Sequence, residues 1–74
     1  MNHDEEIKNI IRENLTKCRN ERNLTQTEVG KIVGKSKTAV ASWEQGLSMP
    51  DIITLIKLSR YYGVSVEYML GGVK

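Results

Sequence analysis

Side chains capable of covalent or metal chemistry are scarce in this 74-residue chain: His3 is its one histidine and Cys18 its one cysteine. A metal site needs several clustered ligands, and a general base needs a partner to orient it. His3 stands in an N-terminal stretch expected to fray, and Cys18 falls on an apolar stripe, where a small buried thiol packs as a core residue. No glycine-rich phosphate loop is present. The expectation is a non-enzyme with no cofactor and no metal. What remains is hydrogen-bonding chemistry. From Lys31 to Lys37 there are three lysines and no acid; Ser36 lies within this run, and Thr38 and Ser42 follow it with further short hydroxyls. Ammonium and hydroxyl groups so placed suit a polar, anionic partner.

These groups need elements to position them, and residues 25–46, TQTEVGKIVGKSKTAVASWEQG, supply two. Thr25 is a good N-cap and Glu28 completes a capping box, so a helix is expected from Gln26. Val29, Ile32 and Val33 give it a buried face at helical spacing. Gly30 lies between them, where a side chain would obstruct close approach by a second helix. Gly34 ends the helix, since glycine adopts the left-handed conformation cheaply. Ser36 caps a second helix over 37–45, with Ala39, Val40 and Trp43 turned inward and Lys37, Thr38, Ala41, Ser42 and Gln45 outward. A short helix with a small, polar outer face packs poorly but probes well. The pattern is a helix-turn-helix with 37–45 as recognition helix.

Duplex DNA recognition separates base contacts, which specify, from phosphate contacts, which position. Lys37, Thr38 and Ser42 occupy the first turns of the outer face and are the expected base contacts. Lysine donates to guanine O6 or N7, threonine offers a methyl to thymine or a hydroxyl to a base, and serine pairs ambiguously. Lys35 and Ser36 are expected at phosphates, as is the indole N–H of Trp43, whose ring should otherwise be core.

The stretch resembles the helix-turn-helix of the phage repressor/Cro (XRE-like) family. The shared features are Thr25-Gln26, a small residue at Gly30, Gly34 at the turn and Trp43-Glu44-Gln45-Gly46 at the end. The likeness continues through Pro50, Leu55 to Leu58, and Tyr62-Gly63-Val64-Ser65-Val66-Glu67-Tyr68-Met69-Leu70, covering roughly residues 7 to 70. It implies an all-α, five-helix, lambda-repressor-like DNA-binding domain and a sequence-specific transcriptional regulator, most often a repressor. It also implies that Gln26 contacts a phosphate and that Arg19 pairs with Glu44, tying the first helix to the end of the recognition helix. Two residues depart from the pattern. The family more often has Ala at Gly30, a difference of about 1 kcal/mol in helix propensity. Ala41 is truncated on the outer face.

Elsewhere, Ile7, Ile10, Ile11, Leu15 and Cys18 predict a first helix over 4–22, with Asn23 as its left-handed end and Leu24 folded onto the core. Leu47 should continue the Val40–Trp43 face inward. Asp51 caps a fourth helix over 52–62 with Ile52, Leu55, Ile56 and Leu58 buried, and Ser65 caps a last one over 66–70. Residues 1–6 read as an acidic arm and helix start, 7–70 as the domain, and 71–74 as a loose tail. The formal net charge is only +2, and six of the nine acids precede Ser36, so distribution matters more than sum. No apolar run approaches the roughly 18 residues of a membrane span, and the acidic N-terminus is unlike a signal peptide, so the cytoplasm is expected. A two-fold DNA operator implies a homodimer, expected through Tyr61, Tyr68, Met69 and Val73, with Ile53 also available. The rival reading is a protein-interaction module, such as an antitoxin or adaptor, on the same fold.

Overall fold

Ile11, Leu15 and Cys18, spaced by four and three, give the first helix one buried face. The computed structural model describes residues 3–72. Over these the chain forms five helices and no strand: α1 (His3–Glu21), α2 (Gln26–Val33), α3 (Lys37–Gln45), α4 (Ile52–Tyr62) and α5 (Val66–Met69). The start of each of the last four is capped by a side-chain oxygen. Thr25, Ser36, Asp51 and Ser65 each accept the backbone N–H three residues on. Asn23 takes the left-handed conformation at φ 56° after α1, and the Leu24 N–H returns to the Arg19 carbonyl at 3.1 Å.

The core joins Ile11, Leu15 and Cys18 of α1 to Val29 and Val33 of α2, Val40 and Trp43 of α3, Leu55, Leu58 and Tyr62 of α4, and Met69 of α5. Two polar side chains, Asn14 of α1 and Arg22 just after it, fasten the last helices by their carbonyl ends, which α-helices leave unsatisfied. Arg22 Nη2 donates to the Tyr62 carbonyl at 2.7 Å and Nη1 to that of Tyr61 at 3.4 Å. Asn14 Nδ2 donates to the carbonyls of Tyr68 at 3.2 Å and Met69 at 3.1 Å. No described helix is long and apolar enough to cross a membrane.

Several apolar residues expected inside are on the surface. Ile7 is 45% exposed, because α1, about 28 Å long, outruns the shorter helices it packs on. Ile32 and Ile52 lie on the flanks of their helices, about 90–100° from the centre of the buried stripe, and are 40% and 63% exposed. Leu47 is 75% exposed, because the left-handed turn at Gly46 swings the chain off the α3 axis before it. The opposite correction applies to Met69, expected on a dimer surface: it is fully buried, sealed under α5 against the core. The last described residues, 71–72, make further contacts. The Gly72 N–H bonds to the Glu67 carbonyl at 2.8 Å, and Gly71 rests against Ile10. Residues 1–2 of the acidic arm and Val73 of the expected dimer surface lie outside the described residues.

Candidate nucleic-acid interface

The turn between α2 and α3 is built by local rules carried to tight tolerance. Thr25 Oγ1 accepts from Glu28 N–H at 3.1 Å while Glu28 Oε1 accepts from Thr25 N–H at 2.8 Å, a complete capping box. Gly34, at φ 73°, reverses the chain. The Lys35 N–H then returns to the Gly30 carbonyl at 2.7 Å. This return brings the Lys35 carbonyl oxygen to 2.5 Å from where a Gly30 β-carbon would stand, with Ser36 backbone atoms at 3.2 and 3.3 Å. Gly30 is therefore a backbone-approach residue. The obstruction a side chain would cause is with the turn itself, more directly than with a neighbouring helix.

Ser36 Oγ accepts from Ala39 N–H at 3.1 Å and starts α3. Val40 and Trp43 anchor the helix from below, at 1% and 5% exposure. Lys37, Thr38 and Gln45 are exposed, and Ala41 and Ser42 are half-buried. The outer face thus carries hydrogen-bonding groups at its N-terminal end and no large apolar side chain. No buried side-chain nitrogen or oxygen among the described residues lacks a partner, and no hydrogen bond takes up the Trp43 indole N–H. Its ring is core, and its N–H edge lies at the core's rim.

A fork from α1 fixes the far end of α3. Arg19 Nε donates to Glu44 Oε2 at 2.7 Å and Nη2 to Glu44 Oε1 at 2.9 Å, while Nη1 donates to the Leu24 carbonyl at 2.8 Å. Both side chains are largely shielded, at 16% and 9% exposure, and the bond to Glu44 raises the Arg19 pKa further. Two parallel bonds from a planar guanidinium fix direction as well as distance. A buried pair need not add much net stability, so its measurable product is the angle at which α3 is held.

Gln26 belongs to the same network, which the sequence did not reveal: its Nε2 donates to Glu44 Oε1 at 3.0 Å. Glu44 thereby orients the amide of the residue expected at a phosphate and leaves the second Nε2 hydrogen for a ligand. An open groove of about 490 Å³ runs along this junction between Arg12, Lys17, Asn20, Gln26, Glu44 and Gln45. Lys35 is also less free than its sequence neighbours imply. Its Nζ lies 3.7 Å from Asp51 Oδ2 at the start of α4. The only signal for either link is the presence of an opposite charge or an acceptor 16 to 18 positions away, which carries no directional information without the fold.

The family model described as Helix-turn-helix matches residues 15–69. The chain is 40% identical over 63 residues to an uncharacterised HTH-type transcriptional regulator, YqaE of Bacillus subtilis (strain 168), covering 85% of this chain and 54% of that protein. It is 38% identical over 50 residues to the cryptic phage CTXphi transcriptional repressor RstR of Vibrio cholerae, covering 68% of this chain and 45% of that one. The chain thus spans about half the length of these relatives. The crystal structure of the P22 c2 repressor in complex with a synthetic operator superimposes with a TM-score of 0.78 at 31% identity, over 84% of this chain and 94% of that one. With its capped helix pair, its glycine-closed turn and these relatives, the chain belongs to the helix-turn-helix family of transcriptional regulators.

Proposed function

We propose that the protein binds duplex DNA sequence-specifically, as a repressor acting in the cytoplasm, with α3 in the major groove. The observation that carries this is the outer face of α3, where Lys37 and Thr38 stand exposed beside Ser42 on a helix anchored from beneath by Val40 and Trp43. Lys37, Thr38 and Ser42 read base edges. Gln26, Lys35, Ser36 and the indole N–H of Trp43 contact phosphates; the Ser36 hydroxyl remains a donor while its oxygen caps α3. The solved complex of the P22 c2 repressor with an operator supports the reading. Burial keeps the Cys18 thiol protonated, which suits a reducing compartment.

A single recognition helix covers too few base pairs to find one site in a genome, so two copies act on a two-fold operator, with half-sites about 34 Å apart as in other helix-turn-helix dimers. Tyr61, 42% exposed, and half-buried Tyr68 are the dimer contacts of this proposal, with Ile53, 60% exposed, also available. The test is selection of bound sequences from random duplexes, repeated with Thr38→Ala. An enriched two-fold motif is expected, and the variant should change the preference at one base pair by about 1–3 kcal/mol. No enrichment, or an unchanged order of preference in the variant, overturns the assignment.

One observation favours a second reading, a module that docks on another protein: Leu47, Ile52 and Ile53 are all at least 60% exposed just beyond α3. Under that reading, charged substitutions at these residues abolish function in the cell while leaving duplex affinity intact.

A further inference from the structure

We infer that Asp51 is a positioning residue for the phosphate contact made by Lys35, holding that lysine against the start of α4 and so lowering the affinity of the helix pair for any duplex. The inference rests on the nucleic-acid reading above. Both partners are firmly mounted. Asp51 Oδ1 accepts the Thr54 N–H at 2.7 Å, and Thr54 is buried. That bond holds the carboxyl below the ordinary carboxylate range, so it is charged at neutral pH. The second oxygen, Oδ2, is the one that lies 3.7 Å from Lys35 Nζ.

The Lys35 backbone is as well fixed, by its N–H bond to the Gly30 carbonyl and by the close approach of its own carbonyl to Gly30. Only the aliphatic stem and ammonium of Lys35 can move. The two side chains are 42% and 59% exposed, so a phosphate oxygen can reach the pair. Their mutual attraction is weak in that setting. Its consequence for binding is larger than its consequence for stability. A lysine already facing a carboxylate contributes less than a full charge to counterion release. In sequence, residues 31–37 form a basic run without an acid. The fold brings an acid to that run from 16 positions beyond Lys35.

The experiment measures affinity for a random-sequence duplex across a salt series in the parent, Asp51→Asn, Lys35→Ala and the double variant. Asparagine caps helices about as well as aspartate, so the Thr54 bond has a replacement acceptor. Asp51→Ser, a second uncharged capping variant, guards against an effect peculiar to the amide, and thermal unfolding checks that each variant is folded. The expected result is a gain of about two- to fivefold at low salt for both Asp51 variants. Their salt slope should steepen by up to about 0.9, with the order of preference among duplexes unchanged and no gain in the Lys35→Ala background. A structural role for Asp51 alone would not move the salt slope. Unchanged affinity and slope overturn the inference, as does an equal gain without Lys35, which would make Asp51 a simple repulsive charge. A parent protein that binds no duplex removes the functional reading and this inference together. A parent that binds normally while the Asp51 variants behave like it removes only the inference.

Discussion

In residues 25–46 the contacts that set the structure are local, whereas α4 and α5 are fastened by Asn14 and Arg22, side chains 39 to 55 positions away. The capping box, the Gly34 reversal and the Ser36 cap each act within a few residues. The Arg22 and Asn14 bonds exist only once α1, α4 and α5 have assembled. The recognition helix pair and its mounting therefore obey different rules. The helix pair needs the right residues in the right order, while the C-terminal pair needs the right neighbours. The Arg19–Glu44 fork is where the two regimes meet, since it ties the end of α3 to α1.

The sharpest break in that comparison comes at Met69. Full burial makes it part of the mounting, so Met69→Ala should cost about 2–5 kcal/mol in denaturant unfolding. Tyr61→Lys should leave stability nearly unchanged and weaken self-association measured by sedimentation equilibrium. Reversed outcomes would return Met69 to the surface and Tyr61 to the core.

Tyr62 tests the junction of the two regions by pH. Burial first, then the charges of Cys18 and Glu44, pushes its pKa from the ordinary 10 up to about 12. The folded state therefore keeps a proton that the unfolded state releases earlier. The stabilisation is complete below about pH 10 and is lost as pH rises toward 12, with a magnitude on the order of 2–3 kcal/mol. Tyr62→Phe should remove this alkaline component. An unchanged difference in stability between pH 9 and pH 12 in the variant would show that the phenol is not its source.

Gly30 probes the local regime alone. Alanine is the better helix former by about 1 kcal/mol, yet its methyl would meet the Lys35 carbonyl, a backbone atom with little freedom to yield. Gly30→Ala should therefore destabilise the domain by about 1–3 kcal/mol and disturb the turn that presents Lys37 and Thr38. A more stable variant would mean the turn relaxes readily.

The smallest effect is expected at Asn14. Asn14→Ala removes two bonds to the α5 end and should cost about 1 kcal/mol, seen first as faster amide exchange in residues 66–72. Exchange rising equally across α2 and α3 would show that the two regions do not open separately.

Much of the helix pair was legible because caps, glycine reversals and helical periodicity are short-range signals. Thr25 with Glu28, Gly34, Ser36 and Trp43 each announce their roles within one helical turn. The apolar residues were harder to place. Ile7, Ile32, Leu47 and Ile52 look like core by type, and Met69 and Tyr68 look alike as surface candidates at the chain's end. Whether such a residue is covered depends on where other helices stop and how a reversal redirects the chain. The pairing of Arg19 with Glu44 was reached only through resemblance.

The helix count and order, the capped pair at 26–45 and the exposure of Lys37, Thr38 and Gln45 on α3 follow from the sequence alone, whereas Ala41 and Ser42, read as outward, are half-buried. The former rest on propensities and hydrogen bonds that span fewer than about five positions. The tertiary structure alone decided that Met69 is sealed while Leu47 is bare, that Glu44 orients Gln26, and that Asp51 stands over Lys35. Those outcomes depend on which surfaces meet across 16 or more positions of chain, and burial and charge pairing have no local signature there.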